Sequence, residues 1–109
     1  MANHIFETEV SRLFEERTRH HQSGGLRGAA LFRALASDPA LPAHVAEDDV
    51  AAILKVQPKT MKARRRKGMP PLYTRRLGQK IIDYDLAALC DMLAEGTVDT
   101  RNGYGPKAA

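Results

Sequence analysis

A chain of 109 residues is long enough for one compact domain with short extensions but too short for two full hydrophobic cores. With 43% hydrophobic and 28% charged residues the composition is that of a globular protein, which excludes disorder along the whole length. No apolar run approaches the ~18 residues that a membrane span needs, and the first ten residues lack the pattern of a secretion signal, so we expect a cytoplasmic protein without membrane contact. Cys90 is the single cysteine, which excludes an intramolecular disulfide, and its apolar helical surroundings predict a buried thiol.

The positive charge of the chain is concentrated in one short segment. Residues 1 to 54 carry five basic and eight acidic side chains, and residues 81 to 109 carry two and five, so each region has a net charge of −3. Residues 55 to 80 carry ten basic side chains and no acidic one, a net charge of +10. The cations of such a block repel one another unless an anion compensates their charge. The segment therefore favours a partner that carries phosphates, either a nucleic acid or a membrane surface, over a face that is only solvated.

The first part of the chain predicts two amphipathic helices and a linker. Residues 7 to 20 and 26 to 37 each place apolar side chains at the spacing of a helix that buries one face. Glu7 or Thr8 lies where the first helix should begin. A segment with two prolines follows the second helix and indicates a linker. We therefore predict an N-terminal helical extension and linker over residues 1 to 42.

Two short helices joined by a tight turn are predicted next. Residues 47 to 49 are acidic and precede the apolar run 50 to 54, which favours a helix of about two turns because carboxylates complement the start of the helix dipole. Pro58 suits the first position of a second helix, which runs to Lys67 and is closed by Gly68. Two helices separated by three or four residues are typical of a helix-turn-helix, and here the second helix is the cationic one.

A basic hairpin and a last helix complete the predicted elements. Residues 72 to 74 and 80 to 82 are β-prone runs on either side of an arginine-containing turn, which predicts a β-hairpin. Asp83 or Asp85 is placed to cap a final helix that ends at Gly96. The residues after it show no periodicity.

The order of these motifs resembles a known family. The chain reads D-D-V-A-A-I-L-K-V-Q-P-K-T-M-K, then G-M-P-P, then a basic stretch around L-G-Q-K, then D-Y-D-L-A-A-L. This order resembles the MerR-like winged helix-turn-helix of phage and plasmid excisionases, AlpA-type regulators and small terminase subunits, over about residues 45 to 95. Four positions depart from the family pattern. Lys55 stands where the turn usually has glycine, and Gln57 where the helix cap is usually serine. Arg64 and Arg65 stand where a tryptophan or an aliphatic residue commonly packs.

The resemblance implies a winged helix-turn-helix with a small two-stranded β-hairpin wing. Together with the two N-terminal helices predicted from their apolar spacing, it gives a mainly α fold. The predicted divisions are the extension over residues 1 to 42, a MerR-like DNA-binding domain over residues 43 to 96, and a flexible tail over residues 97 to 109. The implied function is sequence-specific binding of double-stranded DNA, as a transcription regulator or an excisionase-like architectural factor in DNA recombination of a phage, plasmid or other mobile genetic element. Because one helix covers few base pairs, a homodimer or a cooperative array on DNA is expected.

The second helix of such a motif enters the major groove with its N-terminal turns. The cations further along the helix and those of the wing then contact phosphates. The residues predicted to meet base edges are Gln57, Lys59, Thr60 and Lys62. The other predicted DNA-binding residues are Arg64, Arg65, Arg66, Lys67, Arg75, Arg76 and Lys80. Capping and packing roles are the alternative for Gln57 and Thr60.

Other functions find less support in the sequence. It holds no nucleotide-binding loop, zinc-protease motif, serine-hydrolase elbow or cysteine pair, so we expect no enzyme, no cofactor and no metal site. His20 and His21 adjoin at a helix end, where neighbouring side chains diverge, so we expect them to be solvent-exposed rather than a chelate. The alternative is a protein-interaction module, a packaging adaptor or an inhibitor that binds a protein partner through residues 1 to 42. The charge block favours DNA.

Overall fold

The computed structural model describes residues 6–71, 73–75 and 82–97, and of Arg75 only the backbone. Helices dominate these residues, and a small antiparallel sheet accompanies them, so the mainly helical prediction is confirmed. The elements in chain order are α1 (Glu9–Ser23), α2 (Gly28–Ala36), β1 (His44–Ala46), α3 (Glu47–Leu54), α4 (Pro58–Arg66), β2 (Thr74–Arg75), β3 (Ile82–Asp85) and α5 (Leu86–Glu95). The predicted flexible tail lies outside the described residues except for Thr97. None of the described helices is long and apolar enough to cross a bilayer.

Local capping explains where several helices begin. The Thr8 hydroxyl accepts a hydrogen bond from the Ser11 backbone N–H at 3.1 Å, and the Ser11 hydroxyl accepts one from the Thr8 N–H at 2.8 Å, a reciprocal capping box for α1. Asp85 caps α5 by accepting from the Ala88 N–H at 2.9 Å. Pro58 occupies the first turn of α4. These three starts agree with the sequence-based predictions.

The turn between α3 and α4 contains a strained residue. Lys55 has φ 62° and ψ 41°, the left-handed conformation in which a Cβ atom crowds the next carbonyl oxygen. This conformation lets the Val56 N–H reach the Ala51 carbonyl at 2.9 Å, which satisfies the end of α3 and redirects the chain into α4. A residue other than glycine at this position therefore has a conformational cost.

The sheet has the strand order β1-β3-β2, and both pairings are antiparallel. The β2–β3 pair is antiparallel, as the predicted hairpin requires, although its strands lie later in the chain than predicted, with Thr74 opposite Asp83. The turn between the strands lies outside the described residues. Strand β1 was assigned to no element from the sequence, because three residues are too few to show an alternating pattern. It pairs with β3 through Val45 opposite Tyr84, both of them buried.

One hydrophobic core serves the whole described chain. Phe14 of α1 and Leu31 and Leu35 of α2 belong to the same buried cluster as the core residues of the later elements. Helix α2 packs mainly against α5, and α1 packs against α2 and α3. Cys90 is part of this core, as predicted, and burial raises the pKa of its thiol to about 11. The core thus crosses the boundary predicted at residue 42, and α1 and α2 are part of the packing rather than a detached extension.

A buried carboxylate holds the segment predicted as a linker. The side chain of Asp38 is 1% exposed, and its Oδ2 atom lies 2.7 Å from Arg17 Nε and 2.8 Å from His21 Nε2. Its Oδ1 atom accepts a hydrogen bond from the Ala40 N–H at 2.8 Å. Burial opposes the charge of Asp38, but these donors outweigh it and lower the pKa to about 2. The expectation that His21 is solvent-exposed was wrong, because its ring is turned onto a carboxylate more than a dozen residues away in sequence.

Candidate nucleic-acid interface

Helix α4 has an inner face that is held by the fold. Met61 is completely buried and packs in the core that α4 shares with α3. Arg65 lies one turn later on the same face, and its Nε atom is 2.6 Å from Glu47 Oε2, with the two side chains 15% and 12% exposed. Its Nη2 atom lies 3.4 Å from the second carboxylate oxygen. Arg65 was predicted to contact DNA, but its guanidinium is used inside the protein, because the first residue of α3 presents a carboxylate to it.

The same carboxylate joins α4 to the sheet. The Tyr84 hydroxyl donates a hydrogen bond to Glu47 Oε2 at 3.0 Å, so one carboxylate connects α3, α4 and β3. Burial opposes the charge of Glu47, but the hydrogen bonds from Arg65 and Tyr84 outweigh it and hold its pKa below the usual value. Burial and the neighbouring Glu47 raise the pKa of Tyr84, which keeps its hydroxyl a donor. We call Glu47, Arg65 and Tyr84 the clamp.

An aromatic contact extends the clamp toward the hairpin. The Arg65 guanidinium carbon lies 5.8 Å from the centroid of the Tyr73 ring, and Tyr73 lies 6.3 Å from Tyr84, centroid to centroid. Tyr73 directly precedes β2. The last turn of α4 and the start of the hairpin are therefore adjacent in space and share one side-chain network.

The outer face of α4 is exposed and cationic. Helix α4 contains no acidic residue. No salt bridge joins its exposed cations to another residue in the described part of the chain. The exposed residues of this segment, which we call the outer face, are Gln57, Lys59, Lys62, Ala63, Arg66 and Lys67. Lys62 lies near enough to Glu47 to help lower the pKa of that carboxyl, without a salt bridge. A helix that presents cations along one side is suited to bind a polyanion.

The remaining predicted DNA-binding residues differ in their exposure and in whether the structure describes them. Gln57 stands at the N-cap of α4, but its side chain makes no capping hydrogen bond and is exposed, so it is available to a partner. Thr60 and Arg64 are half-buried at the edges of the outer face. Arg75 lies in β2 by its backbone. The side chain of Arg75 and the whole of Arg76 and Lys80 lie outside the described residues, so the wing contacts stay predictions.

Two features of the interface escaped the sequence reasoning. Glu47 was interpreted only as an acidic first turn of a helix, since nothing in the sequence relates it to Arg65, 18 positions later. Ala63 was not considered, although it follows Lys59 by four residues and precedes Arg66 by three, the spacings that place side chains on one side of a helix. The helical spacing was enough to find Ala63, whereas Glu47 required the tertiary structure.

Comparisons with protein-family models, with curated proteins and with solved structures found no match to this chain. Among the described residues, no group of three or more His, Cys, Asp or Glu side chains is arranged to hold a metal ion. The candidate site is the outer face of α4 with its supporting clamp, because exposed cations lie side by side there and the helix contains no acidic residue.

Proposed function

We propose that this chain is a sequence-specific double-stranded DNA-binding protein in which α3 and α4 form a MerR-like helix-turn-helix and the β2–β3 hairpin is the wing. One observation carries the proposal: the outer face of α4 presents Lys59, Lys62, Arg66 and Lys67 without an acidic residue in the helix. We propose that it acts as a transcription regulator or as an excisionase-like architectural factor, and that it performs no catalysis.

The dimensions of α4 support insertion into DNA. A helix with its side chains is about 10–12 Å across, which matches the ~12 Å width of the major groove of B-form DNA. The clamp and Met61 hold the inner face, so the outer cations are presented by a helix that need not be ordered on binding. Binding to a preorganised helix loses less conformational entropy, which favours affinity.

The proposed roles follow from position along the helix. Gln57, Lys59 and Lys62 lie in the first turns and are proposed to meet base edges, where lysine can donate to guanine and glutamine can pair with adenine. Arg66 and Lys67 lie at the end of α4 and are proposed to meet phosphates, together with the wing residues Arg75, Arg76 and Lys80. A helix of 9 residues covers few base pairs, so we propose a dimer or a cooperative array on DNA.

The test is a salt titration on selected DNA. A random duplex library is first enriched on the purified full-length chain, and binding to the enriched site is then followed by fluorescence anisotropy at rising salt. If about four to seven phosphates are contacted, log K should fall against log salt with a slope of about −3.5 to −6. A slope near zero, or no enrichment at low salt, would refute the proposal.

A matched pair of double variants separates the outer face from charge in general. Lys62→Ala with Arg66→Ala removes two cations from α4, and Arg12→Ala with Arg19→Ala removes two exposed cations from α1. The net charge falls equally in both proteins. The α4 variant should lose affinity about a hundredfold at moderate salt, and the α1 variant less than about fivefold. Similar losses in the two variants would show that binding follows overall charge and not this interface.

A further inference from the structure

The most outward position of α4 is occupied by the smallest side chain on that face. Ala63 is two residues from Met61 and two residues from Arg65, and both of these point into the fold. Two residues correspond to about 200° around a helix, so Ala63 lies opposite both of the inner side chains. Its methyl group is therefore at the crest of the outer face and is exposed.

Long cations surround this position along the helix. Lys59 lies one turn before Ala63 and Lys67 one turn after it, each about 40° away around the axis. Their ammonium groups extend several ångströms further from the axis than a methyl group does. The outer face thus has a short apolar centre between cations. This shape lets the helix backbone approach a surface while the longer cations reach base edges or phosphates on either side.

We infer that Ala63 faces the floor of the major groove and contacts the C5-methyl group of a thymine. The methyl side chain of Ala63 cannot form a hydrogen bond with a polar base edge. It can make an apolar contact with the thymine methyl, which is the apolar group on the floor of the major groove. This inference rests on the proposed function and names a determinant of its sequence preference: a thymine at the centre of the contacted site, flanked by phosphates and guanine acceptors within reach of the cations.

The decisive experiment removes one methyl group from each partner. In the duplex enriched by the full-length chain, each thymine is replaced in turn by deoxyuridine, which differs only in lacking the C5-methyl. At one or two positions the wild-type affinity should fall by about threefold to fivefold, the effect of one buried methyl group. Ala63→Gly should weaken binding to the thymine duplex and abolish that discrimination. Equal binding of thymine and deoxyuridine at every position overturns the inference, and so does a discrimination that persists in Ala63→Gly.

Ala63→Gly places a glycine inside a helix, which lowers helix stability, so a second variant tests the inference without a glycine. Ala63→Glu keeps a good helix former and points a carboxylate at the DNA, and Ala30→Glu places the same charge at an exposed position of α2. We expect a loss of about a hundredfold for Ala63→Glu, because like charges across an interface repel strongly, and less than about threefold for Ala30→Glu. Similar losses in the two variants overturn the inference.

These outcomes separate the inference from the function on which it rests. If the full-length chain enriches no duplex, both fall together. If it enriches a duplex and loses affinity in Lys62→Ala with Arg66→Ala, but tolerates deoxyuridine throughout, the DNA-binding function stands and only the thymine contact is wrong.

Discussion

Arg65 and Arg66 are neighbours in sequence but differ in environment. Arg65 lies on the inner face of α4, where Glu47 and the Tyr73 ring surround its guanidinium. Arg66 is rotated by about 100° onto the outer face, where it is exposed. A run of cations in a sequence therefore does not identify the residues that bind a partner. The position of a carboxylate elsewhere in the fold decides which of them stay available.

The inner face of α4 should depend on the rest of the core, and deleting α1 and α2 should have the largest effect on it. A fragment of residues 43 to 97 lacks α1 and α2, and therefore Leu31 and Leu35, each worth about 2 kcal/mol or more when buried. We expect the fragment to be unfolded by circular dichroism and to bind DNA without sequence preference. Cooperative thermal unfolding of this fragment would show that residues 43 to 96 form a separate unit, as the sequence alone suggested.

The clamp should contribute more to stability than any outer cation. Glu47→Ala leaves the Arg65 guanidinium and the Tyr84 hydroxyl without their acceptor, which should lower the free energy of unfolding by about 3 kcal/mol. Glu47→Gln retains an acceptor oxygen and should lose less. Urea unfolding of both variants measures the difference. A loss below about 0.5 kcal/mol for Glu47→Ala would mean that the inner face does not depend on the clamp.

The buried ion pair of Asp38, which is distant from α4, should make stability depend on pH. Asp38 has a folded pKa of about 2 against an ordinary 3.8, so its contribution is complete above pH 3.8 and is lost as the pH falls toward 2. The loss should amount to about 2 kcal/mol, since each pKa unit corresponds to about 1.4 kcal/mol. Unfolding followed between pH 5 and 2 measures it, and Asp38→Asn should flatten the profile over this range. A profile that is unchanged in Asp38→Asn would contradict this role.

On the outer face, Lys62 should show the reverse pattern of effects. Lys62→Ala should weaken binding to the enriched duplex by about 1.5 kcal/mol, roughly tenfold, if a base contact is lost, with a smaller effect on scrambled DNA. Lys62 is exposed and joins no salt bridge with another described residue. The free energy of unfolding of the Lys62→Ala variant should therefore stay within about 0.5 kcal/mol of the wild-type value. Anisotropy and urea unfolding check the two statements. A larger loss of stability than of affinity would remove the distinction between the faces.

The smallest expected effect concerns the turn that leads into α4. Lys55→Gly removes the backbone strain of a left-handed residue, which should favour the folded state. Two effects oppose this gain: glycine raises the conformational entropy of the unfolded chain, and the variant loses a surface ion pair with Glu15 at 3.4 Å. We expect a net gain of about 0.5 kcal/mol in urea unfolding and no change in DNA affinity. Lys55→Ala is the control, since it removes the ion pair and keeps the strain. A loss of stability greater in Lys55→Gly than in Lys55→Ala would contradict the strain argument.

Short-range features of this protein could be read from the sequence because their causes are local. The capping residues Thr8 and Asp85, the helix start at Pro58 and the concentration of cations between residues 55 and 80 each depend on neighbours within about four positions. The existence and order of the five helices in the described chain could also be predicted, because their apolar spacing repeats over short stretches. The antiparallel pairing of β2 with β3 could be predicted because the two strands are close in sequence. The cationic character of α4 was therefore settled by the sequence alone.

Only the tertiary structure decided which of those cations are available, because the deciding contacts join distant residues. Glu47 is hydrogen-bonded to Arg65, which lies 18 positions later in the sequence, and Asp38 is hydrogen-bonded to His21, 17 positions earlier. Strand β1 acquires its identity only by pairing with β3, and α2 is bound to the rest of the protein by packing on α5. Hydrogen bonds and apolar burial depend on distances in space, which local propensity does not encode. The packing of core residues across the boundary predicted at residue 42 and the two faces of α4 therefore emerged only from the folded chain.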